Sequence, residues 1–264
     1  MSGTPRRAQR SDRAREHEVL SPVTGKVIER VPLRSADEIV RAISIPEPVA
    51  LSRPEVLSFL ERLQEGLARR RDRLVEVTML ETGFIRNDSE EIIDAAIEFL
   101  EDFELFVQEH VESPRAVRHS YGQESQREMR IAHRPFRCVA AMVPQNASFT
   151  LAITIIASAL YAGSRIVVRP SLQCAVSAAI LAEVIEESGP PTSAVRIVNS
   201  LADDFAGACY RAEDVDLIHY IGSNRHALAV FTEAFAAKKS CLLTGRGTDS
   251  STWMERFRST MRSV

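Results

Sequence analysis

The chain has 264 residues, 45% hydrophobic and 26% charged, with 33 Lys and Arg against 36 Asp and Glu for a formal net charge of -3. That balance gives no global electrostatic case for nucleic acid or an anionic membrane as partner, and fits a soluble globular fold of one large domain or two small ones. Cys138, Cys174, Cys209 and Cys241 form no C-x-x-C pair, and no histidines show H-x-x-x-H spacing. Neither a disulfide framework nor a metal site is expected, and a reducing, cytoplasmic setting fits.

Residues 1–20 read as a disordered arm. Arg6, Arg7, Arg10, Arg13 and Arg15 surround no apolar core, which excludes a secretory signal, and Asp12, Glu16 and Glu18 argue against a transit peptide. Turn chemistry over 21–26 precedes a short strand over 27–31. Ser35 and Glu38 are spaced as a capping box, opening a helix that Pro46 and Pro48 stop. Leucines at helical spacing predict one helix over 54–81. Its run Arg69-Arg70-Arg71 reads as a solvated face, because Glu61, Glu65, Asp72 and Glu76 lie within a turn or two. Thr82-Gly83 closes that helix and Asp88-Ser89 opens the next, whose stripe of Ile92, Ile93, Ala96, Ile97, Leu100, Phe103 and Phe106 is core. Residues 114–134 are polar and extended, with Gly122 at a turn, and predict a β-hairpin arm.

From Phe136 apolar strand-like runs alternate with helical ones. Strands are expected over 137–143, 165–168, 195–198, 216–220 and 240–244, with helices over 148–162, 174–188, 203–212 and 223–238 between them. Strands apolar on both faces and separated by helices indicate an α/β fold with an open, mostly parallel sheet covered on each side. The uncharged stretch 138–164 is no membrane span, since Pro144-Gln145-Asn146 interrupts it. It reads as a buried strand, a polar turn and a buried helix.

Several segments, in order, resemble the aldehyde dehydrogenase superfamily. Ser21-Pro22-Val23-Thr24-Gly25 resembles its start, Leu80-Glu81-Thr82-Gly83 its L-E-T-G, and Val143-Pro144-Gln145-Asn146 its P-W-N segment. Ala162-Gly163-Ser164-Arg165-Ile166-Val167-Val168-Arg169-Pro170-Ser171 is similar to A-G-N-x-V-V-x-K-P-S, and residues 215–223 to V-D-x-I-x-F-T-G-S. The resemblance covers residues 21–243 and implies a Rossmann-like cofactor domain, 21–244, followed by a divergent tail over 245–264. Gln145 in place of the Trp makes acyl-CoA reductases a plausible nearest branch.

The same resemblance implies a dinucleotide, NAD or NADP, held by Val143, Pro144, Gln145, Asn146, Arg169, Pro170, Ser171, Ile221, Gly222 and Ser223. Asn146 is the counterpart of the oxyanion donor; a turn-stabilising Asn is the plainer alternative. Arg169 replaces a Lys that contacts the adenosine ribose, and Leu172 stands where a Glu often grips the ribose hydroxyls. Without that carboxylate, and with Arg169 placed to pair with a 2′-phosphate, NADP is expected to be tolerated as well as NAD. Gly222-Ser223, at a helix N-terminus, suits a pyrophosphate, with a plain Ser cap as the alternative. No G-x-G-x-x-G occurs, and Ser200 replaces a common glycine in a way that would crowd the cofactor.

Two catalytic parts have no counterpart. Leu243 stands where the family has its general-base Glu, and no Asp or Glu occurs between Glu233 and Asp249. Cys241 comes too early for the nucleophile and reads as a buried structural thiol. The expectation is therefore a truncated aldehyde- or acyl-directed oxidoreductase that binds dinucleotide but is inactive alone. Two alternatives stand beside it. One is a non-catalytic partner in a homo- or hetero-oligomer, docking through the 114–134 arm or an exposed sheet edge; the other is a functionless fragment.

Overall fold

The computed structural model describes residues 15–44, 52–110, 116–121, 125–130, 134–189 and 194–245. The chain first makes an antiparallel pair, β1 (Arg15–Leu20) and β2 (Val27–Leu33). Between them the Ser21 N–H donates to the Lys26 carbonyl at 2.9 Å, and Gly25 takes the left-handed conformation at φ 68°. The disordered-arm expectation is thus corrected from Arg15 onward. Charged side chains face solvent while Val19 is fully buried with Val31 and Ala175, a packing partner far away in sequence.

Helix α1 (Ala36–Ile43) carries the expected capping box: Glu38 accepts from the Ser35 N–H at 2.8 Å, and the Ser35 hydroxyl accepts from the Glu38 N–H. Pro46 and Pro48 lie outside the described residues. The single helix expected over 54–81 is two, α2 (Arg53–Arg69) and α3 (Arg71–Thr82), with Arg70 between them at φ -106° and ψ 8°. No Gly or Pro marks the break, so leucine spacing did not show it. The three arginines there pair within the protein: Arg69 with Glu65, Arg70 with Glu187 and Arg71 with Asp94. Gly83 closes α3 in the left-handed conformation.

Helix α4 (Arg86–Glu101) starts after an extended Ile85 rather than at Asp88-Ser89, and Ser89 is buried inside it. The expected stripe runs on into a separate helix, α5 (Phe103–His110), where Phe103 is buried but Phe106 is exposed rather than core. Then come β3 (Ala116–Tyr121) and β4 (Ser125–Arg130), an antiparallel hairpin with Tyr121 opposite Ser125. Gly122, the expected turn residue, lies outside the described residues.

The remaining strands, β5 (Cys138–Met142), β6 (Arg165–Arg169), β7 (Val195–Ile197), β8 (Leu217–Ile221) and β9 (Ser240–Thr244), form one parallel five-stranded sheet. Its order is β7-β6-β5-β8-β9. Helices α6 (Ser148–Tyr161), α7 (Ala175–Glu187), α8 (Ala202–Arg211) and α9 (Asn224–Ala236) form the crossovers. Central strand β5 is buried at every position. Val139 and Ala141 face a core shared with α2, α4, α6 and α7, whereas Cys138, Ala140 and Met142 face a second core with α1 and α8. This is the two-sided burial that the unbroken apolar strands implied. Helix α9 is covered least: Ala227 and Ala234 are buried, while Leu228, Phe231 and Phe235 are exposed. Among the described residues no helix is long and apolar enough to cross a membrane.

Candidate functional site

The chain builds the sheet outward in one direction, β5 to β6 to β7, then returns to add β8 and β9 on the other side of β5. In an open parallel sheet such a reversal leaves a crevice beyond the carboxyl ends of the two strands that flank it. Here those strands are β5 and β8. In register, Met142 lies beside Arg169 on one side and Tyr220 on the other. The turns after β5, β6 and β8 therefore leave from the same edge, within roughly 10 Å across two strand spacings.

After β5, Val143 is buried and its N–H donates to the Arg169 carbonyl at 3.2 Å, joining two of the turns. Pro144 is extended, and Gln145 and Asn146 are exposed on a single 3-10 turn that leads into α6. After β6, Pro170 is buried and the Ser171 hydroxyl accepts from the Gln173 N–H. Arg169 is half-buried, burial presses its pKa below the usual arginine value, and its Nε donates to the Ser200 carbonyl at 3.1 Å. Ser200 itself is fully buried and its hydroxyl lacks a partner among the described residues. Its backbone thus steadies Arg169, a role that sequence reading did not assign.

After β8, Gly222 donates to the Thr244 carbonyl at 3.1 Å, and the Ser223 hydroxyl caps α9 through the Arg225 N–H. A Cβ on Gly222 would fall 2.6 Å from the Tyr220 hydroxyl, which donates to the Ser223 carbonyl. A side chain there would displace the Tyr220 ring and its bond to Ser223; backbone φ does not demand glycine. On β9, Leu243 lies beside Tyr220 at the same edge, half-buried and unable to carry a proton. Cys241 is half-buried rather than buried, because β9 is an edge strand; burial still pushes its thiol pKa up. The expected residues on all three turns share one edge. No group of three or more His, Cys, Asp or Glu among the described residues could hold a metal ion.

Glu81, within Leu80-Glu81-Thr82-Gly83, has no task that its sequence context indicates. It is fully buried, and its carboxylate accepts from the Val176 N–H at 2.6 Å and the Ser177 N–H at 3.3 Å. Burial pushes its pKa from 4.5 up to about 7, opposed by hydrogen bonds from Ser177 and Val176. Between those values the folded chain binds more protons than the unfolded one, so stability falls as pH rises. The contribution is complete below pH 4.5 and lost as pH climbs through about 7. Its size is on the order of 3 kcal/mol. Urea titrations across pH 4 to 8 should show this slope, and Glu81→Gln should flatten it.

Sheet and edge together define the class, a Rossmann-like α/β domain. The chain belongs to the aldehyde dehydrogenase family, whose model matches residues 9–252. It is 26% identical over 212 residues to the 3,6-anhydro-alpha-L-galactose dehydrogenase of Streptomyces coelicolor, covering 78% of this chain and 42% of that protein. A salicylaldehyde dehydrogenase from Pseudomonas putida, solved with salicylaldehyde, superposes with a TM-score of 0.76 at 19% identity, over 87% of this chain and 48% of that one. A glyceraldehyde-3-phosphate dehydrogenase from Methanocaldococcus jannaschii, solved with NADP, gives 0.75 at 19%, over 90% and 52%. The chain thus spans about half the length of the relatives it matches.

Proposed function

We propose that this chain is the dinucleotide-binding part of an aldehyde-dehydrogenase-type oxidoreductase, taking NAD or NADP across the carboxyl edge of its sheet. The observation that carries this reading is the placement of residues 143–146, 169–171 and 221–223 on one edge beside the reversal of strand order. Ser223 and the N-terminus of α9 offer the positive end of a helix dipole to a pyrophosphate. Arg169 and Pro170 meet the adenosine ribose, and Arg169 pairs with a 2′-phosphate where one is present. Leu172 adds no carboxylate to repel it. A bound dinucleotide supplies the hydride acceptor, and Asn146 is the counterpart of the donor that steadies an oxyanion.

With Leu243 at the base position, these residues hold a cofactor but do not move a proton. Calorimetric titration with NAD and with NADP should give comparable affinities, and aldehyde added to either mixture should yield no NAD(P)H. Absence of binding to both would reject the reading, and aldehyde-dependent reduction would reject the inactivity. The apolar stripe Leu228, Phe231 and Phe235, 60%, 36% and 75% exposed, favours a second role as a non-catalytic oligomer partner. The hairpin β3–β4 and edge strand β9 are the surfaces for it. Sedimentation that returns only monomers would remove that role.

A further inference from the structure

We propose that Glu81 is the positioning residue of the nucleotide edge: its buried carboxylate caps α7 in trans and so anchors the Arg169-Pro170-Ser171 segment against the Gln145–Asn146 turn. The claim rests on the reading of this edge as a nucleotide site.

The first N–H groups of a helix need acceptors from outside it. Cys174, at the cap position of α7, gives no side-chain hydrogen bond to the N–H groups of that helix. Glu81, on α3 and 95 residues earlier, supplies the acceptor to Val176 and Ser177 instead. A carboxylate there also meets the positive end of the helix dipole.

From this anchor a short series of bonds reaches both turns. The Ser177 hydroxyl donates to the Cys174 carbonyl at 3.1 Å, and the Cys174 N–H donates to the Ser171 carbonyl at 2.9 Å. The Cys174 thiol points at the Gln145 carbonyl, 3.4 Å away. Glu81, Thr78, Gln145, Asn146, Cys174 and Ser177 line one small cavity, in which the Thr78 hydroxyl has no partner among the described residues. Among the described residues Glu81 is the only charged side chain of that lining. The titratable neighbour, Cys174, has its thiol pushed up to about 12 by burial and by Glu81, so it stays neutral while Glu81 titrates.

The alternative is that Glu81 merely fills space in the helical layer, and amide spectra separate the two. In the wild-type chain the Val176 and Ser177 amide protons should move downfield with a midpoint near neutral pH. Those of Ser171, Cys174 and Gln145 should follow with the same midpoint. Glu81→Gln, which keeps a carbonyl acceptor, should abolish every one of these titrations while preserving the fold. Glu81→Leu should speed amide exchange over residues 171–177 and 145–147 by about tenfold, and weaken dinucleotide binding similarly. Val75→Ala, a buried change on the same helix, serves as the control for lost stability. It should leave both readouts within about twofold.

Local titration at Val176 and Ser177 alone, or equal exchange in Glu81→Leu and Val75→Ala, would overturn the proposal. If the wild-type chain binds neither NAD nor NADP while the resonances titrate together, the anchor stands and the nucleotide reading fails.

Discussion

Arg169→Ala should reduce NADP affinity by about 10- to 100-fold, the equivalent of 1.5–3 kcal/mol for charge-assisted hydrogen bonds. NAD affinity should change by no more than about threefold, because the interaction with the 2′-phosphate is the one that carries full charge. The geometry behind this is specific. Nε of Arg169 is engaged by the Ser200 carbonyl, which fixes the plane of the fork at the end of β6. Among the described residues no partner takes its terminal nitrogens, and a phosphate suits them in bidentate fashion. Arg169→Lys keeps charge without the fork and should recover part of the loss. Calorimetric titration at one fixed ionic strength is the measurement, since phosphate contacts weaken with salt. Equal losses for NAD and NADP would show that Arg169 serves the shared part of the cofactor, or only the fold.

The largest stability effect is expected at Phe59. Its ring is fully buried on α2, within the core that joins α2 and α4 to α6, α7 and the sheet residues Val139 and Ala141. Phe59→Ala removes that packing and leaves a cavity, at a cost of about 3–5 kcal/mol. Against a total of roughly 5–15 kcal/mol for an ordinary domain, such a loss brings the chain near unfolding. Because helices and sheet share this core, one urea transition should shift as a whole, by far-ultraviolet dichroism and by dinucleotide binding alike. A change under about 1 kcal/mol, or a helical layer that melts before the sheet, would contradict the shared core.

Much of this molecule was legible because the signals are local. Ser35 and Glu38 are three residues apart, so a capping box can be read in one line of sequence and is present. The central strands β5 and β6 are buried on both faces, and each strand from β5 to β9 begins and ends within a few residues of its expected limits. Boundaries failed where a distant contact decided them. Arg70 interrupts a leucine pattern that reads as continuous, and pairs with Glu187 across 117 residues. Arg15 begins a strand only because β2 pairs with it and Ala175 receives Val19. Cys241 looked buried from its apolar neighbours, but nothing in them says that β9 is an edge.

By itself the sequence determined the alternation of strands and helices from β5 onward, the residues at those strand ends and the lack of a carboxylate at Leu243, since propensity, capping and periodicity act within a few residues. Only the tertiary structure decided the β7-β6-β5-β8-β9 order that brings Pro144, Pro170 and Gly222 to one edge. It alone placed the Ser200 carbonyl on Arg169 and the Glu81 carboxylate on the start of α7. Those bonds join residues 31 and 95 positions apart. They exist because closing the two cores leaves buried polar groups that must find partners wherever the packed chain offers them.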